Sequence, residues 1–170
     1  MNTLVSKISE FQGQWRGLSN FEGPPVQYGM MIYDRVENAY HAAKSLDFNV
    51  RRQFIHISAS QAKKLGQEIE CRSDWEKVKL TVMEILVREK FLYRKSLALL
   101  LSSGNTIIEE GNTWHDNYWG VCRCSKCTNK EAYNHLGELL MKIRAEMQNF
   151  DMIYQQKEYI EKAASSILVS

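Results

Sequence analysis

The segment Glu110-Gly111-Asn112-Thr113-Trp114-His115-Asp116-Asn117-Tyr118-Trp119-Gly120 gathers polar side chains, three aromatics and two glycines between two apolar stretches. Held by a rigid scaffold, a loop of that composition can carry binding or catalytic groups, or its tryptophans can simply anchor it to a core. Directly after it stand Cys122, Cys124 and Cys127, the last two at C-x-x-C spacing. With His115, His135 or Cys71 as a fourth donor they have the ligand types of a structural zinc site, but a second paired half is missing, and reduced thiols are the simpler reading. Glu37 is the other acid that stands out. In the first turn of a helix it complements the helix dipole, a structural role that needs no chemistry. Trp75, at the start of another apolar-periodic run, is by default a core anchor.

These residues need elements to position them. Between Trp15 and Tyr33 short apolar stretches are cut by Gly17, Gly23-Pro24-Pro25 and Gly29, a pattern of two or three short strands with turns. Asp34-Arg35-Val36-Glu37 has capping-box spacing, and the apolar periodicity after it predicts a helix from about Arg35 to Asp47. Ser58 with Gln61 opens a shorter helix that Gly66 can close or bend. Ser73-Asp74-Trp75-Glu76 is a further capping box, followed by the buried face Val78, Val82, Ile85, Leu86 and Phe91. That pattern runs on to Leu101, long enough to require a break near Tyr93 to Ser96. Thr106 to Glu109 reads as a short strand, Asn112 to Asn129 as a functional loop, Leu136 to Met147 as a helix and Asp151 to Ser165 as a last helix. The fold class expected is α+β, a mostly helical single domain with a small β-sheet near the N-terminus.

Length and composition narrow the function. A chain of 170 residues, 44% hydrophobic, can bury one core but not two ordinary domains and a linker. Twenty-two basic against 20 acidic residues give a net charge of +2, so no nucleic-acid partner follows from bulk charge and any anion site must be local. No run of eighteen apolar residues predicts a membrane span, and Met1 to Lys7 lack the apolar stretch of a signal peptide. With the thiols crowded rather than spread, a reducing, cytoplasmic location is expected.

The order of the pieces carries more. Leu18-Ser19-Asn20-Phe21, Glu37-Asn38-Ala39-Tyr40-His41-Ala42-Ala43-Lys44, Ala62-Lys63-Lys64-Leu65-Gly66, Asp74-Trp75-Glu76-Lys77-Val78-Lys79, Lys90-Phe91, Glu110 to Asp116, Trp119-Gly120, Asn134-His135-Leu136-Gly137 and Leu140-Met141-Lys142-Ile143-Arg144 together resemble the NADAR family (NAD- and ADP-ribose-associated), also called YbiA-like. The resemblance covers roughly Phe11 to Arg144. It suggests a catalytic domain over residues 1–148 and a helical extension over 149–170. The chain departs from the family's habit at Ala132, where a glycine is common, and in the tail after Met147.

The resemblance implies a YbiA-like fold and hydrolysis of the bond between ribose C1 and a base or amine nitrogen. The substrate would be an ADP-ribose compound such as ADP-ribosylated guanine, or a phosphoribosylamine intermediate of riboflavin synthesis; a non-catalytic module binding ADP-ribose or NAD is the other class. Breaking a C1–N bond puts positive charge on the sugar, which a fixed carboxylate stabilises, and the departing base needs a proton. By resemblance Glu37 is the main carboxylate, Asp116 a ribose binder or partner acid, and Trp75 a wall of the site. For the phosphates, Lys44 is favoured because seven residues, two helical turns, put it on the face of Glu37. Lys63, Lys64, Arg72, Lys79 and Arg144 are further basic candidates, while Ser19, Asn20, Trp119, Gly120 and Asn134 complete the substrate-binding set. No cofactor is expected.

Overall fold

The computed structural model describes residues 6–148 and 151–168, with 151–157 described by backbone alone; Met1 to Val5 of the N-terminal stretch read above lie outside the described residues. Seven helices occur among the described residues. They are α1 (Val36–Ala42), α2 (Phe48–Arg52), α3 (Ala59–Glu68), α4 (Trp75–Phe91), α5 (Arg94–Ser102), α6 (His135–Met147) and α7 (Asp151–Leu168). Six short strands, β1 (Lys7–Ile8), β2 (Val26–Tyr28), β3 (Met31–Tyr33), β4 (Ile107–Ile108), β5 (Gly111–Asn112) and β6 (Val121–Cys122), complete a mostly helical α+β domain. Among the described residues no helix is long and apolar enough to cross a membrane.

The small sheet expected near the N-terminus is instead three separate two-stranded ladders. Only the antiparallel β2–β3 hairpin is local, its two-residue loop opened by Gly29 at φ 61°, the left-handed position that glycine occupies without strain. β1 pairs in parallel with β4, a hundred residues on, through Lys7 opposite Ile107, and β5 pairs in parallel with β6. The stretch before the hairpin is not a strand: Gly13–Leu18 is a 3-10 helix that buries Leu18.

Helix starts follow local chemistry where nothing competes. Ser58 Oγ accepts from Gln61 N at 3.2 Å and Gln61 Oε1 accepts from Ser58 N at 2.9 Å, the reciprocal box expected for α3. The other two boxes are not made. Asp34 takes His56 Nδ1 at 3.2 Å. At α4 the helix begins at Trp75 with Asp74 rather than Ser73 at its N-cap, Asp74 takes the Arg72 guanidinium at 2.5 and 2.7 Å, and Glu76 takes Lys79. The helix predicted over Arg35 to Asp47 ends at Ala42, because Asp47 starts another: its Oδ1 accepts from Asn49 N at 2.7 Å and caps α2. The long apolar run does break, between Phe91 and Arg94.

Helix α4 is the centre of the core. Val82, Ile85, Leu86 and Phe91 are fully buried, as their spacing predicts, and meet Leu136, Leu140 and Ile143 of α6 in the same apolar cluster. Arg88 ties the pair together by bonding Glu84 within α4 and Glu146 on α6, both at 2.6 Å. Helix α7 also joins this core: Ile160 and Ile167 are buried and Tyr159 lies beneath the Arg88 guanidinium. Over its described side chains, residues 158–168, helix α7 is therefore packed against the core.

Candidate active site

A cleft of about 490 Å³ opens between the strap after the 3-10 helix, helices α1 and α3, and the loop after β4. Of the residues singled out in the sequence, Ser19, Asn20, Glu37, Lys44, Lys63, Asp116 and Trp119 line it. Tyr40, His41, Glu110 and Trp114 line it as well and were not singled out.

The strap is anchored at both ends. Asn20 O accepts from Glu37 N at 3.1 Å, which joins the strap to the first turn of α1. Ser19 O accepts from Nζ of Lys90 at 2.7 Å; this lysine is 1% exposed, and burial brings its pKa down to about 7. One turn along α1 from Glu37, His41 places Nε2 3.0 Å from the Glu37 carboxylate. With Glu37 ionised that nitrogen must carry the hydrogen, and Nδ1 has no hydrogen-bond partner among the described residues.

Gly66 explains the fit of this pair. It does not close α3 but lies inside it, where a Cβ would overlap the His41 ring, and its carbonyl accepts from Lys44 Nζ at 2.7 Å. Burial also lowers the Lys44 pKa. In an open helix Gly→Ala stabilises by about 1 kcal/mol. Here Gly66→Ala is expected to destabilise by about 1–3 kcal/mol, as overpacking does, and to lower kcat by displacing His41 from Glu37. Thermal melts and kinetics of this variant check both signs.

Asp116 is held by its own loop. Its Oδ1 accepts from Tyr118 N at 3.0 Å and Trp119 N at 2.8 Å, and the Asn112 side chain bonds both its backbone N and its carbonyl. Trp119 meets Tyr40 edge-on at 5.5 Å, and Tyr40 leans on Trp75 at 5.1 Å. Trp75 is thus placed behind the Tyr40 wall and does not line the cleft. Lys63 Nζ sits over the rings of Phe21 and Trp114, at 5.8 and 5.2 Å from their centres.

Six other candidates also lie outside the lining. Arg72 is bound to Asp74 and to the Ile167 carbonyl of α7, away from the cleft. Gly120 packs against the Glu110 carbonyl, where a side chain would not fit. Asn134, left-handed at φ 50°, accepts from Glu110 N at 3.1 Å and donates to Ile108 O at 2.9 Å. Gly120 and Asn134 therefore both position Glu110. Arg144 is committed to Ser103 and Thr106, Lys79 to Glu76 and the Tyr118 ring, and Lys64 is exposed outside the cleft.

Glu110 is the group that spacing alone could not find. Burial first, then the nearby carboxylates of Asp116 and Glu37, push its pKa up to about 8. At neutral pH it holds a proton beside two other acids, an arrangement suited to paired acid and base roles. Its place at the head of the Glu110-Gly111-Asn112 element was the available signal.

A family model for the NADAR domain matches residues 6–148. The chain belongs to the NADAR family. Among NADAR relatives, the N-glycosidase YbiA of Escherichia coli is 32% identical over 86% of this chain and 91% of its own. An N-glycosidase of Nostoc punctiforme is 33% identical over 77% of this chain and 85% of its own. A riboflavin biosynthesis protein of Vibrio vulnificus is 30% identical over 86% of this chain, which spans only 39% of that longer protein. The NMR structure of Escherichia coli YbiA superposes with a TM-score of 0.68 at 26% identity, over 86% of this chain and 90% of that one. The α+β architecture and the family are thus reached from sequence and from fold alike.

Proposed function

We propose that this NADAR protein is an N-glycosidase that hydrolyses the ribose C1–N bond of an ADP-ribose-type substrate such as ADP-ribosylated guanine. The observation that carries the reading is one cleft lined by three acids, Glu110, Glu37 and Asp116, in which burial and the two neighbouring carboxylates push the Glu110 pKa up to about 8. Glu110 gives its proton to the departing nitrogen as the C1–N electron pair leaves with the base. Glu37, oriented by His41, stabilises the oxocarbenium ion that forms and takes the proton of the water that attacks C1. The products are the free base, or nucleoside, and a ribose bearing a C1 hydroxyl. Lys44 and Lys63 supply two cations for a diphosphate, and the Phe21 and Trp114 rings offer stacking surface for a base. The similarity of relatives named N-glycosidases supports the same bond class.

The similarity to a riboflavin biosynthesis protein favours a second reading, cleavage of a phosphoribosylamine intermediate of that route. Incubation with ADP-ribosylated guanosine, ADP-ribose, NAD and a phosphoribosylaminopyrimidine, with products identified by mass spectrometry, separates the two. Release of guanosine and ADP-ribose from the first compound is expected. Turnover of the pyrimidine alone would replace the reading with the second, and binding without turnover would make the protein a recognition module.

Asp116→Asn tests the third acid. Its amide oxygen can still accept from Tyr118 N and Trp119 N, so the loop should survive while the charge is lost. A fall in kcat/KM of about tenfold or more is expected, with a substantial part in KM if the residue holds ribose hydroxyls. Unchanged kcat/KM in steady-state assays would remove Asp116 from the site.

A further inference from the structure

We propose that His115, Cys122, Cys124 and Cys127 bind one structural zinc ion that pins the loop carrying Asp116. The spacing left the fourth donor open among three residues, and the fold selects His115. Its imidazole and the three thiols present one ligand atom each, all within 4.8 Å of one another. His115 Nδ1 lies 3.2 Å from Cys124 Sγ and 3.4 Å from Cys127 Sγ. Ligand atoms on a tetrahedral zinc, with Zn–S about 2.3 Å and Zn–N about 2.0–2.1 Å, stand about 3.5–3.8 Å apart, so small adjustments close the site. Neither other donor belongs to it: Cys71 is exposed elsewhere, and the His135 ring packs between Tyr118 and Tyr133.

The backbone is arranged around the cluster. Cys122 lies on β6, held by Asn117 Oδ1 at its N–H, and Cys127 N–H bonds Cys124 O at 3.0 Å to make the tight turn between the paired thiols. His115 adopts φ 70°, a conformation costly for a residue with a side chain and kept where surrounding bonds over-determine it. Binding would release the thiol protons and leave three thiolates and a neutral imidazole on the ion. All four positions would be filled by protein, so the ion has no open place for water and its effect is on the loop. His115 precedes Asp116 directly, and β6 pairs with Asn112, the residue that bonds Asp116.

The test is metal analysis of the full chain purified without chelator, together with anaerobic cobalt(II) substitution of the reduced protein. About one zinc per chain is expected, falling below about a tenth in Cys127→Ser and unchanged in Cys71→Ser. Cobalt should give thiolate charge-transfer absorption and intense tetrahedral d–d bands, a readout that does not depend on any variant folding. Chelation should lower the melting temperature and accelerate amide exchange over residues 112–120. Absence of zinc with no thiolate–cobalt absorption, a weak octahedral cobalt spectrum, or loss of metal in Cys71→Ser would each overturn the assignment.

Discussion

Glu37→Gln is expected to lower kcat by on the order of a hundredfold or more, with the melting temperature nearly unchanged. The amide keeps the volume of the side chain, and its oxygen can still accept from His41 Nε2 within α1, so the local packing of the first turn survives. What is lost is the negative charge that the positive sugar meets in the transition state. A preorganised charge in a water-poor site acts without reorganising at the moment of reaction, and its removal falls on kcat more than on KM. Single-turnover assays on the substrate identified by mass spectrometry read the chemical step directly. A folded Glu37→Gln protein with kcat close to that of the parent would move the central role to another acid.

The second large effect concerns Glu110 and pH. Because its pKa is raised to about 8, the proton it would donate is present at neutral pH and is lost as pH rises through that value. kcat/KM of the parent should therefore fall on a basic limb near pH 8. Glu110→Gln should lose about a hundredfold in rate and lose that limb, since an amide has no proton to give at these pH values. The same shift acts on stability with a definite sign. A carboxyl whose pKa is higher folded than unfolded contributes stability that is fully present below the unfolded value, 4.5, and is lost as pH rises through about 8. The melting temperature of the parent should thus drop relative to Glu110→Gln between roughly pH 5 and 9. A parent profile flat across pH 8, with parallel melting curves for both proteins, would show that Glu110 is ionised throughout and serves another purpose.

Much of the frame was legible from residues that lie near one another in the chain. The Ser58 and Gln61 box, the stripe of Val82, Ile85, Leu86 and Phe91, and the break after it all follow from hydrogen bonds and faces that repeat within three or four residues. The ordered fragments pointed to the family and to seven residues of the cleft, but Lys44 reaches it from the turn after α1, which ends at Ala42, and is held there by the Gly66 carbonyl rather than by two turns of one helix. A signal of the same strength failed where a distant partner intervened, since His56 holds Asp34; the box read at Ser73 and Glu76 failed locally, because α4 starts at Trp75 behind Asp74 and Glu76 bonds Lys79. Trp75 and Asn134 carried fitting side chains, yet packing set the first behind Tyr40 and turned the second onto the backbone of Glu110. Glu110 shows the limit most clearly. Its raised pKa comes from burial and from two carboxylates, one of them on a helix more than seventy residues earlier, and charge interaction depends on distance through space. Residue types and local periodicity supplied most of the acids, cations and thiols and the helices near them; long-range packing, by bringing separated charges and thiols within a few ångströms, set which of them form one wall or one cluster.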